Sequence, residues 1–240
     1  MRDGISKKIY ESVVRRIIAG DFAQGEILTD VGLASLFSTS RTPVREACIH
    51  LVNEGFLRRA PGRGYLVTES SLDDLREIYQ VRLLIEPPAA ELAARASLPP
   101  DFFLTCSKLL EQMTRQFADE HTSAERSYER FLELGKAEYG FHCIIARASG
   151  NRRLAETIAE LMNQYRRFMG VVHRETPPLE FLKEHPEILE TIRRHDAPEA
   201  RRLMHEHILK GSQGVFQLVL DSLSVQEPES EGTFPEPRRA

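Results

Sequence analysis

Cysteine is scarce in this 240-residue chain, and the thiols present lack the spacing of metal knuckles or redox motifs. Cys48, Cys106 and Cys143 stand alone, with no C-x-x-C pair. An odd, unpaired set excludes a disulfide scaffold and fits a reducing cytoplasm in which the thiols are buried and inert. Long apolar runs are also missing. No stretch approaches the roughly 20 apolar residues of a spanning helix, and no basic, apolar, small-residue leader opens the chain, so the expectation is a cytoplasmic protein with no membrane partner. Nor is there a Walker loop, a G-x-G-x-x-G or a G-x-S-x-G elbow, which removes the common nucleotide-cradle and serine-hydrolase classes.

What is present is a charge asymmetry. The net charge is −4, yet residues 1–68 carry 10 Lys and Arg against 7 Asp and Glu, net +3, and the remainder 22 against 29, net −7. A module suited to polyanions is joined to one that is not. Apolar content of 41% suffices for ordinary cores in both.

In the basic part, Ile5, Ile9, Val13 and Ile17 recur at helical spacing and stop at Gly20-Asp21, which predicts a helix over residues 5–19. Residues 30–37 predict a short helix with Val31, Leu33, Ala34 and Phe37 inward. A turn at Ser38-Thr39-Ser40 leads to a third helix over 41–54, closed by Gly55. Strands at 56–59 and 64–67, joined through 60–63, complete a winged helix-turn-helix of three helices and a β-hairpin. In the third helix Val44, Cys48 and Leu51 share one face, whereas Arg41 and Arg45 stand one turn apart on another. From a helix start, free backbone N–H groups accept a phosphate while arginines reach guanine edges. Arg63, between Gly62 and Gly64, reads as a wing tip for a minor groove or phosphate, or as a solvated hairpin charge.

After a polar linker at 69–72, periodicity is helical as far as residue 220. Helices are expected over 73–96, 101–119, 123–148, 152–168, 178–195 and 198–223. The fold class is therefore mainly α: a winged helix-turn-helix over 1–68, then an all-helical antiparallel bundle over 73–223. The tail over 224–240, rich in Glu and Pro, is expected to be disordered.

Within the bundle, three of eight histidines fall on apolar stripes. His142 lies among Leu134, Phe141 and Ile145, with Glu138 one turn earlier aimed at the same interior point. His185 shares a face with Leu182, Leu189 and Ile192, and His207 one with Leu203, Met204 and Ile208. Taken singly, each fits a hydrogen-bonded core residue; jointly, three imidazoles and a carboxylate from three helices form a ligand set for zinc, nickel or a related divalent ion. His50, His121, His173, His195 and His205 read as surface or packing residues. Arg82 sits on the stripe of Leu75, Ile78, Ile85 and Ala89, where a cation needs an anion. Glu86, one turn on, is one candidate; a carboxylate ligand held bidentately is the other.

The run Ser40-Arg41-Thr42-Pro43-Val44-Arg45-Glu46-Ala47, followed by Asn53-Glu54-Gly55-Phe56-Leu57 and Gly62-Arg63-Gly64, resembles the winged-helix domain of the GntR family of bacterial regulators. The rest resembles the FCD ligand domain of its FadR-like subfamily, on Val81-Arg82 with Leu84-Ile85-Glu86-Pro87, Phe141-His142 with Ala148-Ser149-Gly150-Asn151, Glu184-His185 with Ile188, and Met204 with His207-Ile208. The resemblance implies DNA contacts from Arg41, Thr42 and Arg45, and from Arg63 and Gly64 in the wing. It implies metal ligation by Glu138, His142, His185 and His207, where the family usually has Asp at the first position. It further implies a homodimer on a palindromic operator that responds to a small organic or sugar acid. The function read from the sequence is thus a metabolite-responsive transcription factor acting as a repressor; a metalloenzyme acting on a small acid is the alternative, with no general base to be picked out for it.

Overall fold

The computed structural model describes residues 2–69, 71–115, 124–171 and 180–224. The expected helical positions 116–119, 123 and 178–179, together with His121, His173 and the tail after Ser224, lie outside the described residues. The N-terminal elements are α1 (Arg2–Ala19), β1 (Ile27–Leu28), α2 (Asp30–Leu36), α3 (Arg41–Asn53), β2 (Leu57–Ala60) and β3 (Gly64–Val67). Ile9, Val13 and Val14 of α1 close with Leu33, Val44, Cys48, Leu51, Phe56 and Val67 into one buried cluster. The apolar face of α3 is thereby spent on packing, and its charged face is left outside.

The expected wing hairpin forms from β2 and β3, and a third strand joins it in the order β1-β3-β2. The additional strand pairs Ile27 with Leu66 and Leu28 with Tyr65, antiparallel; two residues are too short a run to show alternation. Val31 is 63% exposed rather than inward. At about 100° per residue, Leu33, Ala34 and Phe37 gather on one side of α2, and Val31 falls outside that arc.

Gly64 is where the wing joins the sheet. Its φ is +108°, and a Cβ there would lie 2.4 Å from the Leu28 carbonyl oxygen, so the residue both adopts a backbone closed to other residues and lets β1 approach β3. Gly64→Ala is expected to cost about 2–3 kcal/mol, read as a lowered denaturation midpoint.

The bundle consists of α4 (Leu72–Arg95), α5 (Pro100–Arg115), α6 (Ala124–Ala148), α7 (Arg152–Val171), α8 (Glu180–Arg193) and α9 (Ala197–Ser224). Ser71 opens α4 with a capping box: its hydroxyl accepts from the Asp74 N–H, and the Asp74 carboxylate accepts from the Ser71 N–H. Gly150, at φ +73°, turns the chain after α6, and Asn151 Oδ1 accepts from the Leu154 N–H to start α7. α4 packs on α9, α6, α7 and α8, so it runs through the centre of a second buried cluster that includes Leu75, Ile78, Phe141, Met162, Ile188 and Met204. Among the described residues, no helix is long and apolar enough to cross a membrane.

Candidate functional site

The turn-apart spacing on α6 carries Glu138 and His142 to one interior point, and α8 and α9 bring His185 and His207 to meet them. One donor atom from each lies within 4.8 Å of the others. His142 Nε2 is 3.3 Å from His207 Nε2 and 3.1 Å from Glu138 Oε1. Glu138 Oε2 is 2.9 Å from His185 Nε2, and Oε1 is 3.9 Å from His207 Nε2. A tetrahedral ion with bonds of about 2.0–2.1 Å has ligand–ligand edges of about 3.3 Å. The donor set thus fits a divalent ion in spacing and in chemistry, nitrogen-rich with one carboxylate, which suits zinc or nickel. The imidazoles are buried, with Phe141 edge-on to His185 at 4.9 Å between centroids.

Behind the donors stand partners that fix their orientation. His142 Nδ1 lies 2.5 Å from Glu86 Oε2, and Arg82 Nε donates to Glu86 Oε1 at 2.5 Å. The Arg82–Glu86 pairing therefore forms, and it extends across 56 residues to a ring of the cluster. The Arg82 guanidinium also lies over Tyr165 and Tyr79, 4.8 and 5.2 Å from their centroids. On the other side His207 Nδ1 lies 3.0 Å from Glu184 Oε2, while Lys210 Nζ donates to Glu184 Oε1 at 2.6 Å. Such carboxylate–imidazole pairs aim Nε2 at the ion and raise its basicity.

Burial alone would strip charge from these groups, and for Glu86 and His142 the neighbours win. Burial opposes ionisation of Glu86, but Arg82 and His142 outweigh it and hold the carboxyl down at about 2. Burial likewise opposes a proton on His142, but Glu86 and Glu138 raise its pKa to about 9. His207 goes the other way: burial and then the adjacent His185 lower it to about 4. Glu138 is held well below the usual carboxylate range, because His185 and His142 overcome its burial.

Sequence reasoning did not single out Glu184. It enters the FCD resemblance only as the neighbour of His185, and its bonds to His207 and Lys210 of α9 are cross-helix relations that spacing does not reveal. Glu184→Gln is expected to weaken zinc binding about 10-fold or more, measured by competition against a chromogenic chelator.

On α3 the N-cap Ser40 makes no side-chain capping bond, and Arg41 and Thr42 are exposed on the first turn. Arg45 is exposed too, but not idle: its Nε donates to Asp30 Oδ2 of α2 at 2.5 Å. Arg63 stands exposed beside Gly62, whose φ is +70°. Of the remaining histidines, His50 and His205 are exposed, and His195 Nδ1 lies 2.8 Å from the Ala94 carbonyl oxygen.

Residues 5–67 match the model of the bacterial regulatory proteins of the gntR family, and residues 77–210 that of the FCD domain. The chain belongs to the GntR family. It is 27% identical over 217 residues to the HTH-type transcriptional repressor RspR of Escherichia coli, covering 89% of this chain and 90% of that one. To the gluconate operon transcriptional repressor of Bacillus subtilis it is 37% identical over 133 residues, 55% of this chain and 50% of that one. Among solved structures it resembles E. coli McbR/YncC, with a TM-score of 0.67 at 22% identity, over 89% of this chain and 97% of that one, a likeness of fold. This GntR-family chain is a transcriptional regulator with a DNA-binding winged helix and an FCD domain, and not an enzyme. The metalloenzyme alternative falls with that assignment.

Proposed function

We propose that this regulator is a homodimeric, cytoplasmic repressor that binds a palindromic operator and senses a small organic or sugar acid at a divalent metal site. DNA binding is assigned to residues 1–68, with Arg41, Thr42 and Arg45 at the start of α3 reading the major groove and Arg63 and Gly64 the wing contacts. Effector binding and dimerisation are assigned to residues 73–223, with Glu138, His142, His185 and His207 holding zinc or nickel. The observation that carries this reading is the convergence of those four donors. Apolar Val81, Leu84 and Leu92 lie exposed along α4, and a second copy would cover them.

The four residues would fill a tetrahedral ion, and expansion to five-coordination would let a bound ion take a carboxylate or hydroxy acid directly. The chain's own residues supply the selectivity for an anion. Without metal, Arg82 and the protonated His142 balance Glu86 and Glu138, net 0 in formal charge; exchanging that proton for a divalent ion leaves +1. An acid restores neutrality in a buried place where net charge is costly. We assign Arg82, the fixed cation behind the site, to effector binding as well, shared with its partner Glu86. The name of the B. subtilis gluconate repressor supports a sugar acid as one member of this class.

The test uses the zinc-loaded full chain and the duplex it enriches from random sequence. Enriched duplexes should carry an inverted repeat. A panel of sugar, hydroxy and dicarboxylic acids should include one that weakens binding about 10-fold, while neutral polyols do nothing. A panel without effect would overturn the acid assignment.

A further inference from the structure

α7 carries, on consecutive residues, one side chain facing the candidate metal site and another facing the winged helix. Tyr165 is buried, with the Arg82 guanidinium 4.8 Å from its ring centroid, and Arg82 holds Glu86, which in turn holds His142. The next residue, Arg166, points away from the bundle and donates through Nη1 to Glu54 Oε2 at 3.3 Å. Glu54 is the C-cap of α3, and the same oxygen accepts from the Tyr10 hydroxyl of α1. Arg166 also lies 6.0 Å from the Phe56 centroid and 5.7 Å from that of Tyr139. Tyr139 follows Glu138 directly on α6, so the aromatic support of Arg166 within the bundle is one residue from a donor of the site. Beside this contact runs an open cleft of about 670 Å³, lined from the two sides by residues that include Lys7, Glu46, His50 and Lys136.

We infer that Arg166 is a positioning residue for operator binding: it holds the C-terminal end of α3 at a set angle to the bundle and links that angle to occupancy of the metal site. The inference rests on the DNA and metal assignments above. The contact is built for the task. Arg166 and Glu54 are 17% and 25% exposed, so their ion pair is partly shielded from water and worth more than a free surface pair. The planar guanidinium can shift over two aromatic faces without losing its charge partner. A small rotation of α6, set by whether an ion sits among the four donors, reaches Arg166 through the single peptide unit between Glu138 and Tyr139. Because the cleft leaves the neighbouring surface unpacked, the winged helix can follow that shift instead of resisting it.

The experiment measures operator affinity of the full chain with zinc chloride or with chelator, on the duplex enriched by the wild-type protein, and zinc affinity in parallel. Wild type should change operator affinity about 10-fold on zinc loading. Arg166→Ala should keep its zinc affinity within about 2-fold and lose most of that response, and Arg166→Lys, which retains the charge, should recover part of it. A merely structural role would lower stability without touching the zinc response. If Arg166→Ala does not fold, Tyr10→Phe, which removes only a hydroxyl from Glu54, should still reduce the response by half or more on the same test. An Arg166→Ala or Tyr10→Phe protein with the full response, or a wild type that takes up zinc with no change in operator affinity, overturns the joint. A wild type that takes up no zinc overturns the metal assignment, and the joint with it.

Discussion

His142→Ala should lower zinc affinity by more than about 100-fold, beyond the 10–100-fold expected from losing an outer partner. His142 is the ring on which most of the site converges: Nε2 faces Glu138 and His207, and Nδ1 is held by Glu86 and through it by Arg82. Its truncation removes a donor and leaves the Glu86 carboxylate with Arg82 alone. A chelator competition gives the affinity, and circular dichroism separates lost binding from lost fold. The wild type carries a further signature in pH. His142 holds its proton up to about pH 9, because Glu86 and Glu138 outweigh its burial, whereas His207 is already neutral above about pH 4. Metal binding must therefore displace the His142 proton, so zinc affinity should rise with pH below about 9 and level off there. In His142→Ala that slope should be shallower, and a slope kept at full size would show that another group releases the proton.

Arg45→Ala should cost about 1–3 kcal/mol of specific operator affinity, a 5- to 150-fold loss, while leaving non-specific binding nearly unchanged. The variant should melt like the wild type, since Arg45 is exposed and its ion pair with Asp30 lies at the surface, where such pairs contribute little. In the free protein that pair holds the guanidinium toward α2. Reaching a base edge requires exchanging Asp30 for guanine, which rejects duplexes that offer no such acceptor. Competition between the selected duplex and a scrambled one measures the specificity ratio. An Arg45→Ala protein with undiminished preference for the selected duplex would remove α3 from the reading role.

The parts of the site legible in the sequence are those set by a single helix. Glu138 with His142, and Arg82 with Glu86, are both i, i+4 pairs, and helical geometry alone brings each pair together. His185 and His207 stood out because imidazoles are uncommon on apolar stripes. What could not be read depends on how helices lie against one another. The second oxygen of Glu86 reaches His142 from α4 to α6, Glu184 reaches His207 from α8 to α9, and Arg45 turns toward Asp30. Arg166 is the extreme case, 112 residues from Glu54 and with nothing in its local pattern to mark it. Fold class was clear from periodicity, but β1 was not, because a two-residue strand exists only by virtue of Gly64 letting it near β3. Val31 was misplaced because a seven-residue helix is too short for its stripe to be fixed by pattern.

A divalent ion is proposed at the meeting point of α6, α8 and α9. Crystals of the full chain grown with zinc, measured on both sides of the zinc absorption edge, test it directly. The prediction is one anomalous peak per chain, about 2.0–2.2 Å from Nε2 of His142, His185 and His207 and from a carboxylate oxygen of Glu138. No peak there, with the four side chains bonded only to one another, would contradict it.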